Sequence, residues 1–248
     1  MSQVFGLIGR GISHSFSADY FNGKFRDEGI DARYMLFDLP EVSHFREIIE
    51  AHPDLIGLNV TSPYKRDIIP FLDSLSPEAE ALEAVNVIRI TTDRRGRKTL
   101  HGHNTDCRGF EKTLEGLIGK DVSAIVLGTG GASSAVCYAL RKKGIEPFIT
   151  SRNPKESEIC YPEASRLIPD ISLIINATPV GMHPHIDSFP DIDYSLLTPS
   201  HICYDLIYNP AETGFLKKAA AQGARTVNGL QMLLNQAELS WQIWNDSE

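Results

Sequence analysis

Val122-Ser123-Ala124-Ile125-Val126-Leu127-Gly128-Thr129-Gly130-Gly131-Ala132-Ser133 decides the reading of the fold. An apolar run enters a glycine turn, and a helix-like segment, Ser133–Lys143, follows and is closed by Gly144. Glycine at 128 permits a tight turn, and glycine at 130 lets a pyrophosphate come close to the backbone. The first amides of the following helix would then face the negative charge. An ordinary strand–helix turn is the plain alternative. The strand–turn–helix context, with the small residues Ala132 and Ser133 for close packing, favours dinucleotide binding through Gly128, Thr129, Gly130, Gly131 and Ala132. No Lys-Ser/Thr pair ends the turn, which argues against an ATPase loop. About 20 residues on, an NAD site places an acidic residue for the ribose hydroxyl. Here the chain reads Ile149-Thr150-Ser151-Arg152-Asn153-Pro154-Lys155, with no carboxylate at the strand end. Arg152 suits a 2′-phosphate, or stacking on adenine, with Lys155 as a second charge. NADP (NADPH) is therefore favoured over NAD.

Outward from this turn, apolar strand-like runs alternate with helix-like segments, the pattern of an α/β fold with a mainly parallel sheet. Strands are expected at Val4–Ile8, Arg33–Leu39, Leu55–Val60, Val122–Leu127, Pro147–Thr150, Leu173–Asn176, Ile202–Leu206 and Arg225–Val227. Helices are expected at Asp19–Glu28, ending at Gly29, and at Val42–Ala51, Arg108–Leu117 and Ser133–Lys143. Ser62-Pro63 reads as a further helix start, Ser as cap and Pro in the first turn. A hairpin joins Ala84–Thr91 to Lys98–His103. The last helix, Leu230–Trp244, carries Leu233, Leu234, Ala237, Trp241 and Trp244 at helical spacing and has no strand to follow. It is expected to pack back on the first half. Two domains result: 1–105 plus 226–248 binds substrate in an open α/β sheet, and 106–225 is a Rossmann-type NADP domain.

Composition narrows the classes of function. The 248 residues hold 24 Lys+Arg and 32 Asp+Glu, a formal charge of −8. That balance argues against nucleic acid as the main partner. The basic run Arg94-Arg95-Gly96-Arg97-Lys98 reads as a solvated hairpin tip. No apolar stretch is long enough for a membrane helix, and the N-terminus lacks a signal-peptide pattern. The four cysteines, Cys107, Cys137, Cys160 and Cys203, form no CxxC pair, so no metal site is expected and a cytoplasmic, reduced protein is. A small-molecule substrate is the expected partner, and the state is monomer or homodimer.

Three segments of the first half supply candidate chemistry: His14-Ser15-Phe16-Ser17, Asn59-Val60-Thr61-Ser62-Pro63-Tyr64-Lys65, and Asn86 with Asn104-Thr105-Asp106. They fall near strand ends or the expected inter-domain cleft, where open α/β sheets bind ligands. Singly, each has a structural explanation as a turn residue, hairpin partner or helix cap. Together with Asn176-Ala177-Thr178, Tyr204-Asp205-Leu206-Ile207-Tyr208-Asn209-Pro210 and Gly229-Leu230-Gln231-Met232-Leu233 with Gln236, the chain resembles the shikimate dehydrogenase family over nearly its whole length. The motifs stand in the family's order.

The resemblance implies a reversible NADPH-dependent reduction of 3-dehydroshikimate to shikimate, a step toward chorismate in aromatic amino-acid biosynthesis. It implies that Ser15, Ser17 and Tyr208 bind the substrate carboxylate and that Thr61, Asn86, Asp106 and Gln236 take ring hydroxyls, with Asn59 supporting them. Lys65 would be the acid/base, in a catalytic pair with Asp106. Ser151, Arg152, Thr178, Leu206 and Gly229 would join the glycine turn in the cofactor site. A helix dipole at Lys65 and burial would favour its neutral amine, whereas an ionised Asp106 would favour the ammonium. Two positions depart from the family: Gly11 stands where proline is common, implying a looser loop, and Gln231 replaces a small residue. Three other readings remain at this stage: a quinate/shikimate dehydrogenase using NAD, a non-catalytic NADP-binding regulator, and a folate one-carbon dehydrogenase. The paired serines do not suit the last.

Overall fold

The computed structural model describes residues 3–13, 15–119 and 121–246. Two compact units are formed, residues 1–105 with 237–248 and residues 106–236. Residues 226–236, which the sequence reading joins to the first domain, fall within the second unit.

The first unit is built on a six-stranded sheet. Its strands are β1 (Gln3–Gly9), β2 (Ala32–Asp38), β3 (Leu55–Val60), β4 (Ser74–Leu75), β5 (Val87–Thr92) and β6 (Lys98–His103), in the order β2-β1-β3-β5-β6-β4. β1 pairs in parallel with β2 and β3, whereas β5 runs antiparallel to β3 and to β6. Helices α1 (Phe16–Asp27), α2 (Phe45–Ala51) and α3 (Pro77–Leu82) belong to this unit. Ser15 caps α1, its Oγ accepting the Ser17 N–H at 3.3 Å, so the helix begins three residues before the expected Asp19. At the hairpin tip Asp93 Oδ1 accepts the N–H groups of Arg95 and Arg97, which turns the basic run into a capped loop.

Ser62-Pro63 does not start a helix. Residues 62–68 form successive turns, and Lys65 is on no α-helix, so the dipole expected to favour its neutral amine is absent. The reason is tertiary. The Lys65 carbonyl accepts the Val85 N–H at 2.7 Å, a bond that competes with a helical ladder. Tyr64 is buried beside it, its hydroxyl donating to the Leu39 carbonyl at 2.7 Å.

The second unit carries β7 (Ala124–Leu127), β8 (Phe148–Thr150), β9 (Leu173–Asn176), β10 (Ile202–Asp205) and β11 (Arg225–Val227), all parallel, in the order β11-β10-β9-β7-β8. Its helices are α4 (Asp106–Thr113), α5 (Gly131–Lys142), α6 (Tyr161–Leu167) and α7 (Gly214–Ala221). The direction of strand succession reverses between β7 and β9. Such a switch point leaves a crevice at the strands' carboxyl ends.

Helix α8 (Leu230–Asn245) starts in the second unit and ends in the first, where its C-terminal half completes the core. Trp244 packs on Phe5 and Phe21, and its indole N–H donates to the Ile88 carbonyl at 3.1 Å. Gly57 leaves the room: a Cβ there would overlap the Trp244 ring. No helix among the described residues is long and apolar enough to cross a membrane.

Candidate functional site

Two candidate residues of the first unit, Asn59 and Asn86, belong to a buried polar network. Asn59 lies in β3, and its Oδ1 accepts the Tyr34 hydroxyl at 2.7 Å. Asn59 Nδ2 donates to the Ser240 Oγ at 3.0 Å and to the Asn86 carbonyl at 3.2 Å. Asn86 in turn donates through Nδ2 to the Thr105 Oγ at 3.0 Å and accepts the Thr105 N–H at 2.7 Å. Every member is nearly excluded from water, and buried polar groups paired in this way hold one another in fixed rotamers. Burial holds the Tyr34 hydroxyl well above its ordinary range, with Ser17 acting the other way.

Thr61 follows β3 directly, its N–H bonded to the Ile8 carbonyl at 2.8 Å. Lys65 is half-buried on the turns after it. Val60 N–H donates to the Asn86 carbonyl and Val85 N–H to the Lys65 carbonyl, which fastens Asn86 and the Lys65 turn near the carboxyl end of β3. His14 lies outside the described residues. At Gly11, where a looser loop is expected, the backbone is held by a hydrogen bond. Gly11 has φ +67°, a conformation closed to proline, and its N–H donates to Asp38 Oδ1 at 2.8 Å.

In the second unit Asp106 is the first residue of α4 and is buried. Gln236 lies on α8, which packs closely on α4: Asn235 Nδ2 donates to the Gly109 carbonyl at 3.1 Å. A Cβ on Gly109 would stand 3.0 Å from the Gln236 Cβ. Tyr208 follows β10 and is half-buried, with burial pushing its hydroxyl upward.

The ends of β7, β8 and β9 enclose a cavity of about 570 Å³ whose wall includes Gly128, Thr129, Gly130, Ser151, Arg152 and Thr178. Gly128 has φ +109°, and a Cβ there would stand 2.8 Å from the Thr178 methyl, so only glycine lets the two turns meet. At Gly130 a Cβ would meet no protein atom within 4 Å, leaving the kind of room a pyrophosphate requires. Gly130 is also the N-cap of α5 and has no side chain to satisfy the helix's first amides. Ser133 Oγ donates to the Gly128 carbonyl at 2.6 Å and braces the turn from within the helix.

The wall also holds Asn153, Lys155, Glu158, Tyr161, Pro179 and Val180. Of these only Lys155 was legible as a candidate. Glu158 introduces a carboxylate, but its Oε2 accepts the Lys155 N–H at 3.1 Å. The charge of Arg152 partly offsets the upward push of burial on the Tyr161 hydroxyl. A glycine turn at a helix start together with two cations fits a dinucleotide bearing an extra phosphate. Gly131, Ala132, Leu206 and Gly229 are not in this wall. Gly229 has a reason of its own to be glycine: a Cβ would overlap the Leu206 carbonyl.

Sequence reasoning missed Tyr34 and Ser240, and it quoted Thr105 within a motif without giving it a role. Ser240 carried a signal, being a polar residue on the helix face that Ala237, Trp241 and Trp244 share.

Comparison with known proteins agrees with this geometry. Residues 7–88 match the model of the shikimate dehydrogenase substrate binding domain. The chain is 35% identical to the shikimate dehydrogenase (NADP(+)) of Desulforamulus reducens, across 98% of this chain and 90% of that one. Among solved structures, shikimate dehydrogenase from Aquifex aeolicus superposes with a TM-score of 0.87 at 35% identity, covering 100% of this chain and 94% of that one. The Thermus thermophilus shikimate 5-dehydrogenase in complex with NADP(H) and shikimate gives 0.85 at 31% identity, covering 98% and 93%.

Proposed function

The chain belongs to the shikimate dehydrogenase family, and we propose that it catalyses the NADP-dependent interconversion of shikimate and 3-dehydroshikimate. One observation carries the cofactor choice: the cavity on the second sheet has the glycine turn, Arg152 and Lys155 in its wall and no carboxylate at the end of β8. The first unit is read as carrying most of the substrate-binding residues and the second as the cofactor-binding part.

A bound NADP would supply the hydride acceptor for oxidation of the ring carbon, and NADPH the hydride donor for the reverse reaction. The chain's own work is to orient the ring and move one proton. Lys65 Nζ takes the hydroxyl proton as the carbonyl forms, and as the ammonium gives it back during reduction. Asp106 accepts from a ring hydroxyl, and Asn86, Thr61 and Gln236 pair with the ring hydroxyls too. Ser15, Ser17 and Tyr208 hold the carboxylate. Asn59, fully engaged with Tyr34, Asn86 and Ser240, acts by holding Asn86 in place. Gly128, Thr129, Gly130, Gly131 and Ala132 would cradle the phosphates, Ser151, Arg152 and Thr178 would hold the adenosine half, and Leu206 and Gly229 would complete the lining of the cofactor site. Four free cysteines, three of them buried, support a reducing, cytoplasmic setting.

The test is initial rates of reduced-nicotinamide absorbance with shikimate or quinate and NADP⁺ or NAD⁺. Shikimate with NADP⁺ is expected to be fastest, by on the order of tenfold or more in kcat/KM over any other pairing. Faster turnover of quinate with NAD⁺ would replace this reading, and no turnover with any pairing would remove the enzyme assignment.

A further inference from the structure

Asp205 is the last residue of β10, has no exposed surface, and takes no part in the mechanism above. Its carboxylate is surrounded by donors. Oδ1 accepts the Asn176 side-chain amide at 3.0 Å and the Ile207 N–H at 3.0 Å, and Oδ2 accepts the Thr213 hydroxyl at 2.6 Å. Asn176 is its register partner on the neighbouring strand β9.

The link continues to the cofactor cavity. Asn176 Oδ1 accepts both the N–H of Thr178, at 3.1 Å, and its hydroxyl, at 2.6 Å. Thr178 Oγ then accepts the Val180 N–H at 3.2 Å, while Asn176 Nδ2 reaches the Val180 carbonyl at 3.3 Å. Thr178, Pro179 and Val180 all stand in the cavity wall. On the other arm, Ile207 carries a carbonyl that accepts the Gly229 N–H at 3.1 Å. One buried carboxylate thus joins the turn after β9 to the turn after β10.

We propose that Asp205 is a positioning residue for the dinucleotide site, setting the Thr178–Val180 turn through Asn176 and the Leu206–Ile207 turn through its backbone bond. The proposal rests on the cofactor reading above and adds a buried residue outside the cavity wall.

Asparagine is the informative substitution. In Asp205→Asn the amide oxygen can still accept from Asn176 and Ile207, and the new NH₂ can donate to the Thr213 oxygen. In Asp205→Ala all three donors lose their acceptor. The experiment measures NADPH affinity directly, by quenching of protein fluorescence, alongside steady-state kinetics. Asp205→Ala is expected to weaken NADPH by about tenfold or more with the shikimate KM within about twofold of the parent protein, and Asp205→Asn to stay within about threefold. Thr213→Val removes a bond to the same carboxylate without cutting the arm to Asn176, and should leave NADPH affinity within about twofold. If Asp205→Ala does not fold, Asn176→Leu cuts the same link at its other end and carries the same expectation. Unchanged NADPH affinity in the variant that cuts the link would overturn the proposal, as would equal weakening by Thr213→Val. A parent protein that binds no NADPH would overturn the cofactor reading itself, and the proposal with it.

Discussion

Asp205 is also where a single residue makes a pH-dependent statement about stability. Burial raises its carboxyl from 3.8 to about 6, against the opposing pull of Thr213, Ile207 and Asn176. The folded protein therefore holds this proton at pH values where the unfolded chain has released it. Stability from this group is full below the unfolded value and is lost as pH rises toward 6, by about 3 kcal/mol. Asparagine does not titrate. The stability of Asp205→Asn relative to the parent protein should thus rise between about pH 4 and pH 6 by a similar amount, read from urea unfolding at each pH. A difference that does not change with pH would contradict the buried, ionising carboxylate. Tyr194, whose hydroxyl is pushed up chiefly by burial and in small part by Asp205, titrates far above this window. At this scale the sequence offered candidates but not their setting. Lys65 stands out as the candidate acid/base, but its expected helix could not be refused, because the Val85 bond that replaces the helical ladder comes from 20 residues away. Tyr34, Ser240 and the bonds of Thr105 were hidden for the same reason: their partners are distant in the chain.

Elements whose signal is local were read closely. Strands β3, β9 and β11 have the expected bounds, since each is a short apolar or β-branched run between turn signals. Shorter elements were not read. Two-residue β4 exists through its pairing with β6, and α6 is capped by Cys160, a residue type that gives no helix-start signal. The turn between β8 and α6 makes a prediction of its own. Arg152 is exposed and stands in the cavity wall, so Arg152→Ala should weaken NADP⁺ by on the order of tenfold or more and NAD⁺ by little, in paired KM measurements. Equal weakening of both cofactors would contradict a role at the 2′-phosphate.

Over the whole molecule, the architecture was legible because two kinds of pattern agreed: strand–helix alternation and a glycine turn at the point where strand succession reverses. The final helix was legible too, since its Trp241 and Trp244 needed an apolar surface and the Phe5, Phe21 and Phe25 cluster provides one. The antiparallel β5 in the first sheet was foreseeable only as one arm of a hairpin. Its seat beside β3 brings Asn86 to Asn59, and so builds the polar network on which the candidate substrate site rests.

Replacement of Lys65 tests the central claim most directly, because one amine is asked to carry the proton while every other residue only binds or orients. Steady-state oxidation of shikimate by Lys65→Ala should show kcat lowered by on the order of 10²–10⁴ with the shikimate KM little changed. Turnover within a few-fold of the parent protein would contradict it.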